Sequence, residues 1–207
     1  NSGIYIRPCS ILRVEERNGI VVYETKQQKK NVLSASTAGM VVDMMQDVVN
    51  WGTAAGSRRY FHRPAAGKTG TTQDFSDAWF GGFTPQLLGV VWVGFDDHRV
   101  KFNGWYGQGA RAAMPIWAKF MAETYKKLNL PLKYFDLPSN LTYAEYCKYS
   151  VEQGQPHLAN ETCPEVVSDL INTDTPPSQC TYHPGPPKRN NAGVQAGSKS
   201  TTGGSGW

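Results

Sequence analysis

Between residues 66 and 95, three β-rich segments follow one another so closely that only one kind of sheet can hold them. They run over 66–73, 77–84 and 87–95, separated by residues 74–76 and by the turn Thr84-Pro85-Gln86. A parallel crossover needs a dozen or more residues, so the three predict antiparallel neighbours. The third, Leu88 to Phe95, is nearly all apolar and is expected to be buried on both faces.

The flanking sequence supplies helices and one further hairpin. Ile11-Leu12-Arg13-Val14 and Ile20-Val21-Val22-Tyr23 are β-rich and enclose Asn18-Gly19, a strong hairpin turn. Residues 34–51 predict a helix capped by Ser34 or Ser36 and ended by Gly52. Its apolar stripe is Val41, Met44, Met45, Val48 and Val49, with the Met pair filling core. A second helix is expected over 111–128, with Pro115 in its first turn and Ile116, Trp117, Phe120, Met121, Thr124 and Leu128 facing inward. Hairpin, helix, three strands and helix make an α+β arrangement, an antiparallel sheet with flanking helices. After Pro138 the periodicity weakens. Residues 139–187 read as a small Cys/Pro-rich module, and 188–207 as a disordered Gly/Ser-rich tail.

The chain's 207 residues suffice for a domain with a real core. The net charge of +4 comes without a dense Lys/Arg block, which argues against a nucleic-acid partner, and Lys188-Arg189 reads as solvated tail. No run of eighteen apolar residues is present to cross a membrane.

Chemistry concentrates in Gly67-Lys68-Thr69-Gly70-Thr71-Thr72, which opens the strand block. On a strand, Thr69 and Thr71 face one way and Lys68 and Gly70 the other. Two hydroxyls on one face can bind a carboxylate together. Gly70 lets a ligand backbone come close, and the Thr71 N–H is available as an oxyanion donor. Lys68 adds positive charge. Lys-Thr-Gly is a signature of penicillin-binding proteins and related β-lactamases, although the same residues also suit a plain polar edge strand.

The resemblance extends well beyond the triplet. The chain resembles the C-terminal half of the transpeptidase domain of class A, bifunctional penicillin-binding proteins, a part of the serine β-lactamase/transpeptidase-like fold. It is carried by Asn1-Ser2-Gly3-Ile4-Tyr5-Ile6-Arg7-Pro8, the hairpin Ile11 to Glu24, and Val48-Val49-Asn50-Trp51-Gly52-Thr53-Ala54. Its most specific parts are Gly67 to Thr72, Asp77-Ala78-Trp79-Phe80-Gly81-Gly82-Phe83-Thr84-Pro85 and Val91-Trp92-Val93-Gly94-Phe95-Asp96. Gly109 and Ala112-Ala113-Met114-Pro115-Ile116-Trp117 complete it. The resemblance implies a peptidoglycan D,D-transpeptidase, in which a serine attacks a D-Ala-D-Ala stem peptide and β-lactams acylate the same serine. Lys68 would join the proton network, with Thr71 beside it as a catalytic group. Thr69, Gly70, Thr71 and Thr72 would bind the substrate, running as an added strand. Asp77 and Trp79 are expected to be structural neighbours.

The sequence also departs from that family. No serine has a lysine three residues later, and Ser-x-Asn is absent. Without the nucleophile there is no acyl transfer, so the isolated chain is expected to be inactive. The expected partners are an N-terminal part of the same protein carrying both motifs, stem peptides of peptidoglycan, and β-lactams. The resemblance implies an extracytoplasmic location, anchored in the cell membrane through a segment absent here. A D,D-carboxypeptidase, a β-lactamase or a non-catalytic peptidoglycan-binding module are the alternatives. No cofactor is expected.

Cys147, Cys163 and Cys180 resemble a cysteine-containing tail found after the transpeptidase in some class A members. Cys180-x-x-His183 with Cys147 and Cys163 would permit zinc. An extracellular location favours one disulfide among the three cysteines instead, pairing unread, and no metal. Cys9 is expected as a buried free thiol. His62, His98, His157 and His183 are expected at surface or structural positions, and Asp96-Asp97 at a strand end.

Overall fold

A computed structural model describes residues 2–97 and 99–184. Asn1, His98, Lys188-Arg189 and the proposed tail 188–207 lie outside the described residues. The chain divides into two compact units: Asn1–Tyr143 with Leu170–Pro176, and Ala144–Asp169 with the described residues from Pro177.

The first unit opens with two small ladders. β1 (Ile4–Ile6) pairs antiparallel with β4 (Lys29–Asn31), and between them β2 (Arg13–Glu15) pairs with β3 (Val21–Glu24). The second ladder is the expected hairpin, with Gly19 at φ +85° in its turn. The first ladder was not evident from the sequence. Helix α1 (Ala35–Asn50) follows, and the Ser34 hydroxyl caps it by accepting the Thr37 N–H at 3.0 Å.

The central sheet has the order β5 (Ala66–Thr71), β6 (Asp77–Phe83), β7 (Leu88–Gly94), all antiparallel. One face carries the core. Ala78 and Phe80 are fully buried there, and Phe80 meets Trp117 of α3 (Met114–Lys127) edge-on, ring centroids 5.2 Å apart. Phe61 approaches Trp117 from another side at 5.7 Å, and the Trp117 indole donates to the Gly82 carbonyl at 3.0 Å. A Cβ on Gly82 would stand 2.6 Å from that indole, so only glycine allows the sheet and helix to close this tightly. A short helix, α2 (Gly109–Ala112), precedes α3.

Three expectations change. β7 is not buried on both faces: Val91 and Val93 pack on the core while Leu88, Val90 and Trp92 are exposed by 73, 61 and 44 %. A three-stranded sheet with helices on one side gives β7 an alternating pattern. Helix α1 leaves Val41 and Met44 exposed and buries Val49. Helix α3 buries Met114, Trp117, Ala118, Met121 and Tyr125, while Ile116, Phe120 and Leu128 are exposed. The inward stripe is thus rotated from the expected one, because the buried Tyr125 hydroxyl finds Thr84 Oγ1 at 2.6 Å.

The region after Pro138 is less loop-rich than its composition suggests. It holds β8 (Leu141–Cys147), α4 (Lys148–Glu152) and β9 (Val166–Asn172), with β8 and β9 paired.

Candidate active-site strand and a cysteine cluster

Strand β5 has β6 on one side and, among the described residues, no strand on the other. The ladder's parity decides which of its groups face that free edge. The Thr72 N–H donates to the Asp77 carbonyl at 3.1 Å, and the register pairs Gly70 with Trp79 and Lys68 with Gly81. In an antiparallel ladder hydrogen-bonded pairs alternate. Thr72, Gly70 and Lys68 therefore bond toward β6, while Thr69 and Thr71 turn their backbone N–H and C=O groups outward. The Lys68 ammonium lies along the strand and donates to the Thr69 carbonyl at 2.9 Å.

The side chains are held from the core side of the sheet. Thr69 Oγ1 shares a hydrogen bond of 3.1 Å with Thr53 Oγ1, just after α1. Thr71 Oγ1 accepts the N–H of Gly109, the first residue of α2, at 3.1 Å. With an acceptor position of the hydroxyl filled, its proton remains to donate to an anion. A Cβ on Gly109 would stand 2.2 Å from the Trp79 carbonyl oxygen and 2.5 Å from that of Gly70. Only a residue without a side chain brings α2 this close to the two strands. The sequence marked Gly109 within a resemblance but gave no sign of this bond.

Thr72 has a different neighbourhood. Its hydroxyl oxygen accepts the N–H groups of Ser76 at 3.1 Å and Asp77 at 3.0 Å, closing the β5–β6 turn. It is not turned toward the free edge with Thr69 and Thr71. Asp77 is buried and accepts from Ser76 Oγ at 2.8 Å and from the Trp92 indole at 2.9 Å. Trp79 and Trp92 lie beside each other on the exposed face of the sheet, ring centroids 6.0 Å apart. Asp77 and Trp79 are thus part of the strand's framework.

The second unit carries a separate cluster. Cys147 at the end of β8, Cys163 in a turn, Cys180 and His183 bring three sulfurs and an imidazole nitrogen within 4.8 Å of one another. All three cysteines are free thiols; no disulfide joins them. His183 Nδ1 lies 3.4 Å from Cys147 Sγ and 3.6 Å from Cys180 Sγ. Burial works to raise the Cys147 thiol. Hydrogen bonding to the Ser150 backbone and to Cys180, Cys163 and His183 outweighs this and lowers it to about 7. Burial pushes the Cys163 thiol up. Cys9 is exposed, not buried as expected.

Comparison with known proteins bears on the family and the fold. The family model described as the penicillin binding protein transpeptidase domain matches residues 1–121. Penicillin-binding protein 1A of Aquifex aeolicus (strain VF5) is 34 % identical over 181 residues, covering 87 % of this chain and 24 % of that protein. The protein of the same name from Clostridium tetani (strain Massachusetts / E88) is 31 % identical over 191 residues, covering 89 % and 23 %. The chain thus spans about a quarter of the relatives it matches. A crystal structure of penicillin-binding protein 1A from Haemophilus influenzae superimposes with a TM-score of 0.73 at 19 % identity, covering 86 % of this chain and 31 % of that one. That likeness establishes the β-lactamase/transpeptidase-like fold. A match over residues 1–121 places this chain in the penicillin-binding protein transpeptidase family.

Proposed function

We propose that this chain supplies one wall of the active site of a peptidoglycan D,D-transpeptidase, completed by a serine from another part of the same protein. The observation that carries the reading is the outward N–H of Thr71 on a free strand edge, beside a hydroxyl whose acceptor position is already taken by Gly109. A stem peptide would add to the edge as a further strand, its terminal carboxylate accepting from the Thr69 and Thr71 hydroxyls. The Thr71 N–H would meet the oxygen that gains charge when the serine attacks, as half of an oxyanion hole. Lys68 supplies fixed positive charge and a proton-carrying group at the same place.

The reaction has two steps. The serine oxygen bonds to the carbonyl carbon and terminal D-alanine departs with a proton. The amine of a second stem peptide then displaces the serine, giving a cross-link. Transfer to water instead would make the protein a carboxypeptidase or a β-lactamase. No Ser-x-x-Lys occurs anywhere in the 207 residues, so the chain alone acylates nothing in this scheme. An extracytoplasmic, membrane-anchored parent follows from the substrate's location. No described helix is itself long and apolar enough to cross a membrane.

The test is covalent labelling with a fluorescent penicillin. The longer protein carrying the serine segment should take the label outside this chain, and Lys68→Ala should slow labelling at least tenfold. Undiminished labelling of Lys68→Ala would reduce the strand to a structural element, and binding of stem peptide with no acylation at all would favour a non-catalytic peptidoglycan-binding module.

A further inference from the structure

The three cysteines and His183 of the second unit have no part in acyl transfer, yet their arrangement is specific. We propose that Cys147, Cys163, Cys180 and His183 form a structural zinc site that holds this unit together.

The distances suit a tetrahedral ion. With Zn–S near 2.3 Å and Zn–N near 2.0–2.1 Å, ligands at tetrahedral angles sit about 3.6 Å apart for sulfur and nitrogen, and about 3.8 Å apart for two sulfurs. The two sulfur–nitrogen separations to His183 Nδ1 are 3.4 and 3.6 Å, and all four donor atoms lie within 4.8 Å of one another. A disulfide would use two of the sulfurs and strand the third beside the imidazole. One cation uses all four donors.

The residues around the donors fix their positions as metal sites require. Asn160 Nδ2 donates to the carbonyls of Cys180 at 3.0 Å and His183 at 2.7 Å, and Thr162 Oγ1 donates to the His183 carbonyl at 2.7 Å. The Asn160 N–H points at Cys163 Sγ at 3.4 Å, a contact that favours thiolate. The buried Ser150 hydroxyl donates to the Cys147 carbonyl at 2.7 Å. One side-chain amide thus ties together both later turns that carry ligands.

Size gives the reason for a metal. Among the described residues of this unit, the buried apolar side chains are Tyr146, Cys147 and Cys180, and two of these three are ligands. A core that small does not hold a module of this length, and short modules without a core rely on disulfides or metals. The bound ligands are three thiolates and a neutral imidazole, so the filled site carries one net negative charge, and binding releases the protons of those thiols that are still protonated. Four protein donors leave no open position for a reactive water, which makes the site structural.

The test uses the full chain and zinc or cobalt as the probe. Elemental analysis of desalted protein should give stoichiometric zinc. With zinc bound, Cys9 alone should react promptly with a thiol reagent, and a strong chelator should expose all four cysteines. Cobalt should give the intense visible bands of a tetrahedral ion and a thiolate charge-transfer band, and the cobalt affinity read from these bands should be unchanged in Cys9→Ser and weakened at least tenfold in Cys163→Ser and His183→Ala. These optical bands report on the wild-type chain directly, so the outcome does not depend on whether a variant folds. Protein that retains no metal, a cobalt spectrum without thiolate bands, or a mass showing two hydrogens lost to a disulfide among Cys147, Cys163 and Cys180 would each overturn the site.

Discussion

At the scale of single residues, Thr71 has two separable duties. Its hydroxyl oxygen receives the Gly109 N–H, and its proton is left for a ligand. Thr71→Val keeps the shape and removes both, and a hydrogen bond to a charged group contributes about 1.5–3 kcal/mol. Penicillin acylation of the longer protein should therefore fall roughly 10- to 100-fold in Thr71→Val, while Thr71→Ser stays near the parent rate; equal rates for all three in a stopped-flow or gel assay would remove the hydroxyl from the mechanism. Thr72 is a contrasting neighbour. By composition alone it is indistinguishable from Thr71, and the resemblance groups the two together. The hydrogen bonds from Ser76 and Asp77 assign it to the turn, and strand parity accounts for the difference.

At the scale of elements, the seat of α2 on the sheet depends on Gly109. Gly109→Ala would drive a methyl group against two backbone carbonyls. Overpacking of this kind costs about 1–3 kcal/mol, so the variant should show a lowered midpoint in denaturant unfolding together with slower acylation, because the donor to Thr71 moves. An unchanged midpoint would mean that α2 shifts freely. Much at this scale was legible in the sequence. Asn18-Gly19 announced its hairpin, Ser34 its helix, and the short links at 74–76 and 85–86 an antiparallel sheet. Facing was harder to read. The unbroken apolar run of β7 gives no sign that one side of the sheet lacks a cover, and α3 has enough apolar positions to define more than one stripe. The choice falls to Trp117 and Tyr125, whose partners Gly82, Thr84 and Gln86 lie 35 to 41 residues away. The β1–β4 ladder is equally non-local, joining segments that carry no strong strand pattern. In the cysteine cluster only Cys180 and His183 are close in sequence. Cys147 and Cys163 join them through the path of β8 and the turn held by Asn160, which spacing does not reveal.

At the scale of the whole molecule, the first unit is a well-packed core with apolar surface left over. Leu88, Val90 and Trp92 on β7 share one face with Trp79 and are exposed. A run of exposed apolar groups on one sheet face is the kind of feature that marks an interaction surface, and the chain spans about a quarter of its relatives. The isolated 207-residue chain should therefore bind a hydrophobic dye and self-associate in light scattering, and co-production with the serine-bearing segment should suppress both. A monodisperse monomer that ignores the dye would show that the surface needs no partner. The second unit follows a separate rule, because its cohesion depends on ligands more than on buried area. Chelation should therefore loosen the second unit, read as new thiol reactivity at Cys147, Cys163 and Cys180.

Trp79 and Trp92 stand side by side on that open face, each 44 % exposed. The molecule thus carries a built-in optical gauge. Anything that covers this face takes both indoles out of water at once, so their emission will shift to shorter wavelength if the proposed serine-bearing segment docks there. Assembly can then be followed without adding a label in a variant whose other exposed indoles among the described residues, Trp51 and Trp105, are replaced by phenylalanine.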